Sequence, residues 1–458
     1  MLRRSVDNNN NSVVRLLDDE PDLLAMHRHA PDRYPFLLQS TASDSAHGRF
    51  DILFACPGES LVLDRVGCLD SCANASGFLK ALDKQWRSEP ESDTDVELPF
   101  TGGWFLYLGY ELAAEIEPDL RHEDDPVLPA AFAVRCKAAV IRDRLARQNF
   151  LVYESSMTPE IDEVLRDVAA CQSTRAPTDG QPVPQLEAEE ETPGDFLAAV
   201  VKAKAHIAAG DVYQANLSRG WSASADHKLE ADRIYESLSQ SNPAPFAGLA
   251  RWHDSTIISS SPERLLRIRG GIISTRPIAG TRPRSDDADT DQSLSAELFS
   301  NAKEIAEHVM LIDLERNDLG RVCEPGTVEV DEMMVLESYS HVHHIVSNVT
   351  GKLRQDVSPG DAIRAVFPGG TITGCPKVRC MEIIQGLENG PRGAYTGSFG
   401  YLNCDGSLDL NILIRTMVVR DNSITFRAGS GIVADSQPEA ELAETRAKAK
   451  GMLRALST

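Results

Sequence analysis

Carboxylates at helical spacing are the first chemistry this sequence offers. Over residues 438–456, Leu442, Ala449, Leu453 and Leu456 make an apolar stripe, and Glu441, Glu444 and Lys448 fall on an adjoining face at i, i+3 and i+7. A solvated face carrying an i,i+4 glutamate–lysine pair has the same pattern. Residues 301–314 repeat two acids three apart, Glu304 and Glu307, here among Ile305, Val309, Met310, Leu311 and Ile312. A helix apolar on most sides is buried, and a buried carboxylate must be met by a cation or by donors. Glu307 is therefore a stronger ligand candidate than a surface glutamate. Glu304 has a competing role as a capping partner of Asn301, as Glu439 has with Ser436. Carboxylates from two helices, completed by water, form an oxygen-only set suited to Mg²⁺.

Other polar groups are placed to bind or to transfer protons. In the strand pattern of residues 212–219, Tyr213, Ala215 and Leu217 alternate with Gln214, Asn216 and Ser218, so amides and a hydroxyl share one face. The backbone N–H groups of Gly429, Ser430 and Gly431 follow a strand and can be aimed at a carboxylate, although a tight turn has the same composition. Arg415 lies in a β run, where a lone arginine is either paired or holding an anion. Ser261-Pro262-Glu263 places an acid at the turn after an apolar strand, a pattern that a plain surface turn shares. The glycine-rich run 367–377 fails as a phosphate loop, because Pro376 separates Gly374 from Lys377 and Val378 follows the lysine. His341 and His343 face opposite to His344 in a strand, which favours one polar histidine over a ligand set. Cys68 with Cys72, and Cys375 with Cys380, lack the partners that complete a zinc tetrahedron.

The elements that must position these groups sit in a globular chain of 458 residues, 42% hydrophobic and 25% charged. With 46 Lys and Arg against 69 Asp and Glu, the net charge of −23 excludes nucleic-acid backbone binding as the main activity. No apolar run reaches the roughly 20 residues of a membrane helix, and nine thinly spread cysteines do not read as a disulfide framework. These features predict a soluble, cytoplasmic protein that needs no membrane. Residues 1–170 carry short apolar runs such as 36–38, 50–54 and 131–134 and read as a β-rich lobe. Residues 171–192 are polar, with Glu187, Glu189, Glu190 and Glu191 clustered, and read as a linker or surface loop. Residues 193–458 interleave helices at 193–209, 300–314, 377–387 and 438–456 with strands at 256–260, 271–275, 397–402, 410–419 and 423–427. Turn signals between the strands favour antiparallel pairing, an α+β class.

Taken together, the runs 210–218, 261–264, 276–284, 306–318, 367–381 and 428–448 resemble, in order and spacing, the chorismate-utilising enzymes. The resemblance covers about residues 193–456 and implies a two-lobe β-sandwich of mainly antiparallel sheets flanked by helices. Relatives that use water typically carry lysine where this chain has Gln214; relatives that use ammonia carry glutamine. The first lobe, through residues 37–40, 49–52 and 99–110, is most similar to aminodeoxychorismate synthase component I, the branch leading to p-aminobenzoate and folate. Residues 242–246 agree. One departure is Ala279, where many of that branch carry a lysine nucleophile and the anthranilate synthases do not.

The resemblance implies roles residue by residue. Glu304, Glu307, Glu441 and Glu444 would hold Mg²⁺. Arg415, Tyr401 and the Gly429, Ser430 and Gly431 amides would hold the enolpyruvyl carboxylate, with Lys448 and Thr281 completing the cradle. Glu263 would supply a proton to the departing C4 hydroxyl, Gln214 would stand at the base position, and His344 would lie near the ring. Ammonia would come from a separate glutamine amidotransferase subunit. Anthranilate synthase component I and a catalytically silent docking subunit are the rival readings. Gln39 departs from the Leu-Leu-Glu-Ser form of feedback-regulated relatives, so tryptophan inhibition is not expected.

Overall fold

Long strands with apolar residues on both faces need cover on both sides. Ala131–Asp143 is buried along almost all of its length, and Phe50–Arg65 pairs with it from Phe50 opposite Asp143 to Leu63 opposite Ala131. In a computed structural model of the chain, the described residues are 12–42, 48–65, 68–70, 77–89, 97–120, 123–172, 185–285, 287–300, 302–338 and 342–457. Among them the strands join in one hydrogen-bonded network, and the pairings described are antiparallel. The class is α+β, as expected. Asn301, His341 and Cys72, together with 173–184 of the polar segment, lie outside the described residues.

The sheet does not break where the sequence turns polar. Phe36–Gln39 pairs with Phe246–Trp252, and Gly103–Leu108 pairs with Ser398–Asn403, so strands from before and after residues 171–192 share ladders. The core follows the same rule: Phe132 stacks on Trp252 with ring centroids 4.1 Å apart, and Phe36 on Phe105 at 4.0 Å. The acidic segment is itself built in. Glu189–Glu190 pairs with Ser222 and Trp221, and Glu190 holds both Arg219 at 2.8 Å and Arg446. The glutamates read as a linker thus close a charged seam between strand and C-terminal helix.

Three local expectations change. The helix predicted over 300–314 is Ala302–Gly320, longer at its C-terminal end, and a second helix that the sequence reading did not give, Ala288–Ser300, precedes it. The strand predicted over 410–419 is also two, Leu408–Asn411 and Thr416–Arg420, because Arg415 adopts a left-handed φ of 53° that no ladder accommodates. Pro438–Ala455 starts from Gln437 without a side-chain cap; Ser436 Oγ instead accepts from the Val433 N–H at 3.0 Å, so the Ser436–Glu439 capping box does not form. Lys377–Leu387 is helical as predicted. Among the described residues no helix is long and apolar enough to cross a membrane.

Phe132→Ala should cost about 3–5 kcal/mol, the range for emptying a buried aromatic site, and should move one cooperative urea transition. Two transitions, only one of them shifted, would contradict a core shared across the polar segment.

Candidate active site

Two glycines open the site. Gln214–Ser224 pairs with Ser423–Ile432 so that Ser218 faces Gly429 and Asn216 faces Gly431. A β-carbon on Gly429 would stand 2.6 Å from the Tyr395 hydroxyl and 2.8 Å from Asn216 Oδ1. One on Gly431 would strike the Gln214 amide and lie 3.3 Å from Glu307 Oε1. Any side chain at either position would fill the hollow. Around it, Gln214 Nε2 donates to Glu307 Oε1 at 2.6 Å, and Lys448 Nζ donates to the Gly429 carbonyl at 3.0 Å while pairing with Glu444 at 2.8 Å. Helices Ala302–Gly320 and Pro438–Ala455 therefore bring Glu307 and Glu444 to the same stretch of strand.

Glu263 forms the second part of the site. It occupies the two-residue link between Ser255–Ser261 and Arg264–Arg269, fixed by its N–H to Ser261 Oγ at 3.2 Å and its carbonyl to the Ile412 N–H at 3.0 Å. The carboxyl is 5% exposed and accepts from the Thr371 hydroxyl at 2.8 Å. Burial pushes its pKa up to about 8, with the nearby Glu315 adding to the rise and Lys448 opposing it. Arg415 faces this acid: desolvation lowers its pKa and the Glu263 charge counters the fall. Among the described residues no carboxylate lies within ion-pair distance of Arg415, and Glu263 is the one charge that acts on it, which suits its guanidinium to an incoming anion. His344 is buried, hydrogen-bonded to the Gly280 backbone, and held neutral, its pKa down to about 3 through desolvation and then Arg415.

Gly280 ties the metal-ligand candidates to this pocket. At φ 67° it forms a bulge between Ala279 and Thr281, and a β-carbon there would sit 2.8 Å from Glu304 Oε2. Glu304 Oε1 meanwhile accepts from Arg282 at 2.9 Å, and Glu441 is buried. The donor set fits a hard dication, being carboxylate oxygen from two helices. As placed, no three His, Cys, Asp or Glu side chains among the described residues are gathered closely enough to enclose an ion. Glu304, Glu307 and Glu444 are turned toward Arg282, Gln214 and Lys448, the contacts an ion must displace.

Residues 44–454 match the chorismate binding enzyme family. The chain belongs to this family. It is 37% identical over 471 residues to anthranilate synthase component 1 of Acinetobacter calcoaceticus, covering 96% of this chain and 94% of that one. It is 41% identical over 384 residues to aminodeoxychorismate synthase component 1 of Bacillus subtilis (strain 168), covering 81% and 80%. Its fold matches the crystal structure of anthranilate synthase component I from Streptococcus pneumoniae TIGR4, with a TM-score of 0.78 and 30% identity over 90% of this chain and 93% of that one. The menaquinone-specific isochorismate synthase MenF of Escherichia coli shares the fold alone, with a TM-score of 0.72 and 19% identity over 99% of this chain and 97% of that one.

In this chorismate binding enzyme most of the predicted site residues meet, and some do not. Gln214, Glu307, Gly429, Gly431, Lys448 and Glu444 surround the hollow, with Glu263, His344 and Arg415 connected to it through Lys448 and one another. Ser430 is buried on the opposite face of its strand, so only its backbone can contribute. The side chain of Thr281 lies outside the described residues. Tyr401 is placed elsewhere: its ring packs edge-on against Phe100 at 6.0 Å within the aromatic core of the first strands. The phenol at the hollow is Tyr395, which sequence reading passed over because 393–397 is an irregular stretch without periodicity. The histidine run gives no ligand set, since His343 is spent on Ser338 and Asp291.

The raised Glu263 pKa has a stability consequence. A carboxyl whose folded pKa exceeds its unfolded value contributes stability fully present below about pH 4.5 and lost as pH rises toward about 8. Glu263→Gln should therefore match the parent in melting temperature at pH 4, exceed it increasingly up to pH 8, and level off above. A difference independent of pH would contradict burial of a protonated acid.

Proposed function

We propose that this enzyme is the chorismate-binding component of an aminodeoxychorismate synthase, exchanging the C4 hydroxyl of chorismate for ammonia to give 4-amino-4-deoxychorismate and water. A glutamine amidotransferase subunit would supply the ammonia, and free ammonium would replace it less efficiently. The observation that carries the reading is a buried proton donor, Glu263, set near two cations, Arg415 and Lys448, the second of which would exchange its Glu444 contact for a dianion. Loss of hydroxide from a ring carbon needs a proton at the departing oxygen, and a carboxyl with a pKa near 8 retains one at neutral pH. Arg415 would take one carboxylate bidentately, with Tyr395 and the Gly429–Gly431 backbone fixing the other end of the same group. Mg²⁺ held by Glu307 and Glu444, with Glu304 and Glu441 direct or through water, would neutralise the ring carboxylate and withdraw electrons from the diene. Gln214, an amide bound to Glu307, cannot activate water as a lysine does, which favours ammonia as nucleophile.

Ala279 favours a second reading, anthranilate synthase, because it supplies no nucleophile at the position where many aminodeoxychorismate synthases have lysine. The Bacillus subtilis relative and residues 37–40 and 242–246 support the first. A silent docking subunit would have no use for a buried acid aligned with paired cations.

Incubation with chorismate, Mg²⁺ and ammonium at alkaline pH separates the three. The expected product is aminodeoxychorismate; fluorescent anthranilate formed without a lyase would select the second reading, and no product with or without an amidotransferase would select the third. Glu444→Gln should abolish Mg²⁺-dependent turnover with the fold intact by circular dichroism, and Glu263→Gln should lower kcat about 10²–10⁴-fold. Full activity in either variant removes that residue from the mechanism.

A further inference from the structure

Beneath Glu263 lies a set of buried charges that the reaction does not use. Helix Ala302–Gly320 carries Glu315 and Asp318, both nearly inaccessible, one turn apart. Lys377, at the start of Lys377–Leu387, donates to Asp318 Oδ2 at 2.5 Å and to the Val366 carbonyl at 2.8 Å. That pair is neutral as a unit. It leaves Glu315 without a salt-bridge partner among the described residues, set against the Gly370 backbone. A β-carbon on Gly370 would strike Leu314 Cδ2 at 2.4 Å and stand 3.3 Å from Glu315 Oε1, so the bare glycine lets the turn lie directly on the acid. Gly370 opens the short turn Gly370–Ile372, whose next residue, Thr371, donates to Glu263.

We propose that Glu315 is the positioning residue for the Glu263 proton: it anchors the turn that presents Thr371, and its negative charge keeps the proton on Glu263. The inference rests on the proton-donor role given to Glu263 above. Three carboxyls and one ammonium share this interior, and two unpaired carboxylates so close cannot both ionise cheaply. Glu315 has the Gly370 backbone against it and feels the Lys377 charge that Asp318 shares. The Glu315 charge raises the pKa of Glu263, on top of the larger rise that burial causes. The groups facing Glu315 are Asp318 on its own helix, Lys377 across from it, and Glu263 beyond the turn; Arg321 acts on Asp318. Arg415 and Lys448 face Glu263 from the substrate side and pull its pKa the other way.

Glu315→Gln separates charge from geometry, since its amide oxygen can still accept from Gly370. The direct readout is a carbon-13 NMR titration of glutamate carboxyls, with the Glu263 signal assigned by its loss in Glu263→Gln. The midpoint of Glu263 should fall by about half a pH unit or more in Glu315→Gln, an energy of about 0.7 kcal/mol. It should stay above that value in Glu315→Asp, which keeps the charge. The alkaline limb of kcat/KM should move the same way with KM for chorismate unchanged. Coincident Glu263 titrations in the parent and a folded Glu315→Gln overturn the proposal, as does a midpoint in Glu315→Asp equal to that of the Gln variant. A parent that turns over no chorismate while the titration shift is present would sink the reaction reading and leave the coupling standing.

Discussion

The site depends on two positions having no side chain. Gly429 and Gly431 lie on one face of a strand whose partner presents Gln214, Asn216 and Ser218, and that missing volume is where groups from distant parts of the chain converge. Strand alternation makes the arrangement strict: a shift of one residue would turn Ser430 into the hollow and send the glycines to the packed side. The ten-residue ladder between Gln214–Ser224 and Ser423–Ile432 fixes that register; Pro438–Ala455 packs against it with Glu444, while Ala302–Gly320, packed on Ile278–Pro283 and Val342–Lys352, reaches it through Glu307.

Around the hollow, electrostatics are settled by burial more than by the chain's net charge. An overall balance of −23 opposes anion binding at long range, yet the pocket holds Arg415, Lys448 and neutral His344 against an acid that desolvation keeps protonated. The same interior neutralises its other charges internally. Glu388 is met by Arg392 and Arg427, Arg264 by Asp409, and Asp318 by Lys377. Breaking such a buried pair leaves an uncompensated charge, which makes these contacts a scaffold around the few groups left for a ligand.

Much of this was legible beforehand where periodicity carries the signal. The opposed faces of Gln214 and Ala215, the helix at Lys377–Leu387, and the placement of paired acids on each of two helices follow from spacing; that the two helices meet came only with the resemblance. Irregular backbone hid the rest. Arg415 reads as mid-strand, but its left-handed conformation breaks the strand in two. Tyr395 sits between turns, whereas Tyr401, named from the resemblance, lies in a regular strand whose pairing turns its ring into the aromatic core. The acidic residues 189–191 look solvated until the fold brings Arg219, Arg427 and Arg446 to them. Glu315 is invisible to pattern reading, since nothing local marks that a helix residue will stack under a glycine turn.

The central claim is that Glu307 and Glu444, far apart in sequence, serve one divalent cation beside the glycine strand. Anomalous diffraction from crystals soaked in Mn²⁺ with chorismate tests it most directly. The account predicts a single strong peak within about 2.2 Å of oxygens from both glutamates, with Gln214 and Lys448 swung off them. A peak bound by only one of the two helices, or none between them at saturating Mn²⁺, would contradict it.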